Sequence, residues 1–385
     1  MAHLARATTS IEAAGPAPAN LKPLTAVRFF AAAWVVLFLY WPSLTADPMP
    51  PLVAKGYLGV ELFFTLSGFI LCHVYLPKVE AGRFRYGQFL WARLSRIYPL
   101  HLVCILGIAL LGAAAFAAGR SIDPNVLSLP ALAPNLLLVH AWGFAPVSGW
   151  NHPSWSISAE WSAYLTFPAY AFVAMSLRRR PRLALALALA ALFAINAAFQ
   201  ALAGFPLTEA TFAWGALRIV PCFAYGCALY LVWRSGVVQG RSAAAAGALI
   251  LGAAIVIGAL FSLPDPVLVA LEGGLILCLG VLSNQDSSAQ TPRALVYLGE
   301  ISYSIYMICV PWQLVFVNIV AATMHKDDKH LSIGLWIVFL AMVVPLAVIS
   351  YHLIERPARA GMRHWAVGWG RRGVNGTSGE KRIFS

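Results

Sequence analysis

Apolar stretches of about 20 residues recur from residue 24 to residue 354, and that recurrence limits the chain to very few architectures. A bilayer core ~30 Å thick is crossed by about 20 residues of α-helix. Lipid offers no hydrogen-bond partner, so a crossing segment must satisfy its own N–H and C=O groups, which a helix does. With 60% hydrophobic and only 11% charged residues, an ordinary soluble domain is excluded. The expected fold class is all-α: a polytopic transmembrane helical bundle of about ten spans, forming one domain.

Hydropathy places the spans at 24–41, 57–77, 97–118, 161–177, 183–203, 211–233, 243–262, 266–283, 295–321 and 331–354. Pro23, Pro42, Pro77, Pro181 and Pro266 are expected at their ends, where a missing N–H does least harm. Residues 1–23 lack the basic start, apolar centre and cleavage site of a secretory leader, so the first span is expected to direct insertion. Cys72, Cys104, Cys222, Cys227, Cys278 and Cys309 fall within or beside apolar segments without metal-ligand spacing. They read as core residues, with neither a metal site nor a disulfide framework.

A net charge of +12 can signal nucleic acid, but its distribution here follows the positive-inside rule instead. With ten spans and both termini cytoplasmic, the inner segments and the inner end of the first span hold 22 of the 27 Lys and Arg residues. Among them are Arg83, Arg85, Arg93, Arg96, Arg178, Arg179, Arg180 and Arg182. Outside remain Lys55, Arg120, Lys326 and Lys329, while Arg218 lies within a span. The chain then divides into a cytoplasmic segment 1–23, a membrane domain 24–357 and a basic cytoplasmic tail 358–385, in a bacterial inner membrane. Segment 119–160, rich in Pro, Trp and Asn, is expected outside as part of an acceptor site or lid.

A charged residue inside a span costs ~3 kcal/mol or more at mid-membrane, so each one retained is a functional candidate. Arg28 follows the N-cap candidate Thr25 by three residues, where the helix dipole disfavours a cation. Snorkelling to inner headgroups is the bland alternative. Eleven residues on, three turns round the same face and ~16 Å along it, stands Leu39. Glu61, Glu160, Arg218 and Glu272 are expected toward the outside, while Arg93 and Arg96 precede the third helix on the inner face. The bundle is thus acidic outward and basic inward, which suits an anionic CoA donor arriving from the cytoplasm.

The segments LTAVRFFAAAWVVLF, GYLGVELFFTLSGF, ARLSRIYPLHL, PSWSISAEWSAYLTFP, YLGEISYSIYM and a closing IERP occur in one order across residues 24–357. In that order they resemble the acyltransferase 3 family of membrane-bound O-acyltransferases. The resemblance implies transfer of an acyl group, often acetyl from acetyl-CoA, to a hydroxyl of a glycan or small molecule. It also implies catalytic roles for Arg28 and for position 39, where the family carries His and this chain has Leu39. Arg93, Arg96 and Tyr98 match the family's donor-handling RxxR segment. Glu61 and Glu160 match its acidic positions, Ser67 its SGF segment, and Cys309 a position often held by His.

Hydroxyl acylation needs a base with a pKa near the working pH, and leucine supplies none. Leu39 therefore implies an engineered inactive variant, a naturally silent homologue, or an enzyme that uses another base. Buried Glu61 or Glu160 could serve as that base; Tyr40 is too weak an acid to substitute easily. His140 and His152, in the outer segment, fit either a rescue role or a plain surface loop. Cys309 as an acyl-accepting thiolate competes with a core reading, Ser67 in catalysis with close helix packing, and Arg93 and Arg96 in donor binding with simple cytoplasmic anchoring.

The expected protein is thus a membrane acyltransferase with acyl-CoA as donor substrate, no bound cofactor or metal, and no nucleic-acid partner. Its rival is a non-catalytic protein that binds or moves a glycan or acyl compound through the same cavity.

Overall fold

The computed structural model describes residues 21–120, 123–283, 291–324 and 330–362. The N-terminal segment up to residue 20, the tail from residue 363, Lys326 and Lys329 lie outside the described residues. The chain is a bundle of helices: α1 Lys22–Tyr40, a single turn α2 Pro51–Ala54, α3 Gly59–Glu80, α4 Tyr86–Ala117 and the short α5 Leu129–Leu136. Next come α6 Trp155–Leu165, α7 Phe167–Leu177, α8 Pro181–Ala203, α9 Gly215–Arg234, α10 Arg241–Leu260 and α11 Asp265–Ser283. The last are α12 Arg293–Glu300, α13 Ser302–Met324, α14 Ile333–Ala341 and α15 Val343–Ser350.

Among the described residues, 9 helical stretches are long and apolar enough to cross a membrane. The tenth expected span, 161–177, is built by α6 and α7, which part at Thr166 because Pro168 opens a new helix there. Neither piece is long enough by itself. Three further boundaries depart from hydropathy. The third span begins at Tyr86 and not at residue 97, since nothing between the two breaks a helix, so Arg93 and Arg96 ride on α4 and do not precede it. Span 295–321 splits at Ile301, where the Ser302 hydroxyl donates back to the Gly299 carbonyl at 2.8 Å. Pro77 does not end its span: α3 runs on to Glu80, because proline in a last turn removes only one hydrogen bond.

The centre of the bundle is the pair α3 and α9. A Cβ on Gly68 would strike the backbone carbonyl of Phe223, and one on Gly226 would strike that of Thr65. Two glycines thus let the helices touch backbone to backbone, the contact expected where lipid supplies no hydrophobic drive between helices. Around that pair, α1 lies between α3 on one side and α12 and α13 on the other. By contrast α10 shows much of its apolar surface, with Leu249, Ile250 and Ile257 exposed, as a lipid-facing helix should.

Segment 123–154 folds back into the bundle. Trp150 donates from its backbone N to Val126 O at 2.7 Å and from Nε1 to Ser128 O at 2.9 Å. Buried Asn151 donates to the Met307 carbonyl on α13 at 2.9 Å.

Candidate active site

α1 carries Arg28 and Leu39 to two different cavities. The one at the Arg28 end of α1, called inner for that end of the helix, has about 260 Å³ and is lined by Arg28, Arg93, Arg96, Ser67, Glu160 and Tyr164, among others. Its three arginines face one glutamate, so it is a basic pocket with a single carboxylate. Ser67 donates to Glu160 Oε1 at 2.5 Å, joining α3 to α6. Arg93 lies over the Tyr75 ring at 5.6 Å and reaches the Tyr75 hydroxyl at 3.4 Å. Its Nε is buried without a hydrogen-bond partner among the described residues. A buried guanidinium donor left open beside a cavity fits an anion, because guanidinium forks match phosphate oxygens.

The outer cavity, of about 480 Å³, is lined by Leu39, Phe38, Tyr57, His152, Glu209 and Arg218. Val60 and Tyr306 line both cavities and so form the wall between them. Arg218 is not free to serve a ligand. It donates to both oxygens of Glu61, to Ala210 O at 2.9 Å and to Tyr57 O at 3.4 Å, and its guanidinium lies over the Trp155 ring at 4.6 Å. Glu61, fully buried, faces Arg218 and lines neither cavity.

Arg28, Arg93, Arg96, Ser67 and Glu160 therefore meet in one place, so Glu160 joins the arginines and does not stand with Leu39 at the other end of α1 as expected, while Leu39 lies in the other cavity with Arg218. Tyr98 packs against the bundle core outside both linings, and Cys309 is fully buried with its thiol donating to the Tyr306 carbonyl at 3.0 Å. Glu272 is fully buried, and neither carboxylate oxygen finds a partner among the described residues. His140 bonds Ser154 at 3.0 Å deep in the folded-back outer segment, where burial lowers its pKa to about 3. Sequence reasoning passed over Ser156, Tyr164, Tyr303 and Tyr306, all in cavity walls. Their signal was present: Ser156, Glu160 and Tyr164 recur every four residues on α6, and Tyr303 and Tyr306 three apart on α13, each set on one helix face.

A basic chamber and a second, polar one are set along one helix of a bundle whose helices are long and apolar enough to cross a membrane. Residues 22–352 match the family model described as an acyltransferase domain, and the chain belongs to this acyltransferase 3 family. It is similar to the acyltransferase MdmB of Streptomyces mycarofaciens, 31% identical over 76% of this chain and 79% of that protein. The peptidoglycan O-acetyltransferase OatA of Listeria monocytogenes is 24% identical over 79% of this chain and 51% of its own length. Protein 2 in picA locus of Rhizobium radiobacter is 35% identical over 28% of this chain and 62% of its own. No solved structure matches. The protein is a multi-pass membrane O-acyltransferase by family.

Proposed function

We propose that this chain takes an acyl group, acetyl in the simplest case, from acyl-CoA entering from the cytoplasm and esterifies a hydroxyl of a glycan on the far side of an inner membrane. One observation carries the donor half of the reading. The inner cavity gathers Arg28, Arg93 and Arg96, with the Arg93 Nε lacking a partner among the described residues. CoA brings phosphates that such a cluster binds well, since charge-assisted hydrogen bonds are about twice as strong as neutral ones. The acceptor half rests on the outer cavity, whose Thr208, Thr211, Glu209 and His152 offer the mixed donors and acceptors a sugar requires. A glycan is the favoured acceptor because the relative OatA is named for acting on peptidoglycan.

The catalytic step needs a proton acceptor beside the acceptor hydroxyl and a donor thioester within reach of it. A CoA pantetheine arm passing the Val60 and Tyr306 wall brings the thioester from the inner chamber to the outer. Arg28 holds the donor from the inner side, and Glu160, fixed by Ser67, keeps the arginines oriented.

The apolar side chain of Leu39 in the outer wall favours one second reading, a non-catalytic binder of the same two ligands. Turnover decides between them. In proteoliposomes with radiolabelled acetyl-CoA and a soluble peptidoglycan disaccharide, the acyltransferase reading expects acetylated sugar and free CoA; binding of both without transfer supports the binder. R93A and R96A should each weaken acetyl-CoA binding about 10- to 100-fold, the scale of one charge-assisted contact. Unchanged affinity in the double variant would place the donor elsewhere.

A further inference from the structure

We propose that His152 is the general base of this enzyme, removing the proton from an acceptor hydroxyl bound in the outer chamber that His152 and Leu39 both line. The inference rests on the acyltransferase reading above. Acylating a hydroxyl at neutral pH requires a group that holds a lone pair and accepts a proton as the oxygen attacks. Among the residues lining the outer chamber, His152 is the one imidazole. Glu209 stands exposed at its rim, and a water-solvated carboxylate is a poor acceptor for such a proton. Arg218 is fully engaged by Glu61 and two carbonyls.

The position of His152 is built, not incidental. Its Nδ1 lies 2.9 Å from the Ser148 hydroxyl, and the tautomer that donates Nδ1–H to Ser148 leaves the Nε2 lone pair as the base. The Phe212 ring lies 5.3 Å from the imidazole centroid and holds it from one side. The neighbour on the N-terminal side, Asn151, is anchored on α13 through Met307 O, and Pro153 follows directly. Two residues upstream Trp150 sits at φ 58°, a left-handed conformation costly for a bulky side chain. A turn strained and pinned in this way places its next side chains in one orientation. Burial also lowers the His152 pKa below its ordinary value, which favours the neutral form of the ring.

In the step, Nε2 takes the hydroxyl proton as the acceptor oxygen forms its bond to the thioester carbonyl carbon. Collapse of the tetrahedral intermediate breaks the C–S bond, and the imidazolium returns its proton to the departing thiolate. The products are the ester and free CoA thiol, with His152 neutral again.

The test compares the wild type, L39H, H152A and the double variant L39H/H152A in proteoliposomes, with acetyl-CoA and a peptidoglycan disaccharide. The proposal expects transfer by the wild type and a loss of ~100-fold or more in kcat for H152A at unchanged acetyl-CoA affinity. Free imidazole, or a histidine placed at position 39 of the same chamber, should restore transfer to H152A; that recovery separates chemistry from a folding defect. H152A turning over like wild type overturns the proposal and leaves the acyltransferase reading standing, as does a loss that neither imidazole nor L39H repairs. A silent wild type with an active L39H keeps the enzyme and removes His152 as its base. Silence in both overturns the acyltransferase reading itself.

Discussion

At the scale of single residues, a costly feature of the bundle is the ion pair Glu61–Arg218, buried at 0% and 3% exposure. Removing two charges from water costs several kcal/mol each, offset only when every donor and lone pair is used. Here the carboxylate takes two guanidinium hydrogen bonds, and two more of the five N–H groups reach Ala210 O and Tyr57 O. This arrangement holds the entry to α3 against α9, and its Arg218 lines the outer chamber. E61A leaves Arg218 buried and unpaired and is expected to cost about 3–5 kcal/mol, with loss of monodisperse protein in detergent. The paired change E61L/R218M should recover most of that stability, since it removes both charges together. A thermal melt of the three proteins checks this; equal stability of E61A and wild type would show that Arg218 escapes to water.

At the scale of elements, two glycines decide how α3 and α9 meet. Ser67, which anchors Glu160, is the neighbour of Gly68, so the floor of the inner chamber depends on the closeness of that contact. In G226A the new methyl meets the Thr65 carbonyl, which cannot yield without pulling α3 away. The variant is expected to lose about 3 kcal/mol or more and to lose acetyl-CoA affinity as well, both read from ligand-dependent thermal shifts. A variant with wild-type melting would mean that the helices separate at little cost. The existence and order of these helices were legible in the sequence because length and apolarity alone fix them. The start of α4 was not, since Tyr86 through Arg96 mixes polar and apolar residues and hydropathy begins counting only after the arginines. Of the site, Arg28 and Glu160 could be read as costly charges inside or beside spans. The nearness of Leu39 to His152 could not, because it depends on a loop folding back 113 positions along the chain.

At the scale of the whole molecule, sidedness is what makes two chambers in series useful, and it hangs on the pair α6 and α7. The 9 long stretches among the described residues would by themselves leave residues 21 and 362 on opposite faces. A tenth crossing by α6 and α7 would put residues 21 and 362 on one face, with Arg178, Arg179 and Arg180 on that same side. Positive residues are retained on the cytoplasmic face, so three arginines between α7 and α8 favour the crossing. With that crossing, segment 123–154 and His152 would lie outside and the arginine-lined chamber would face the cytoplasm, as the proposed use of CoA requires. Cysteine labelling tests this with little background, because five of the six native cysteines are buried and Cys278 is half-buried. Asn125 and Arg179 are exposed. In intact cells an impermeant maleimide is expected to label N125C and to spare R179C until the membrane is opened. Labelling of both from outside would mean that α6 and α7 turn back without crossing, and the donor and acceptor chambers would then open to the same compartment.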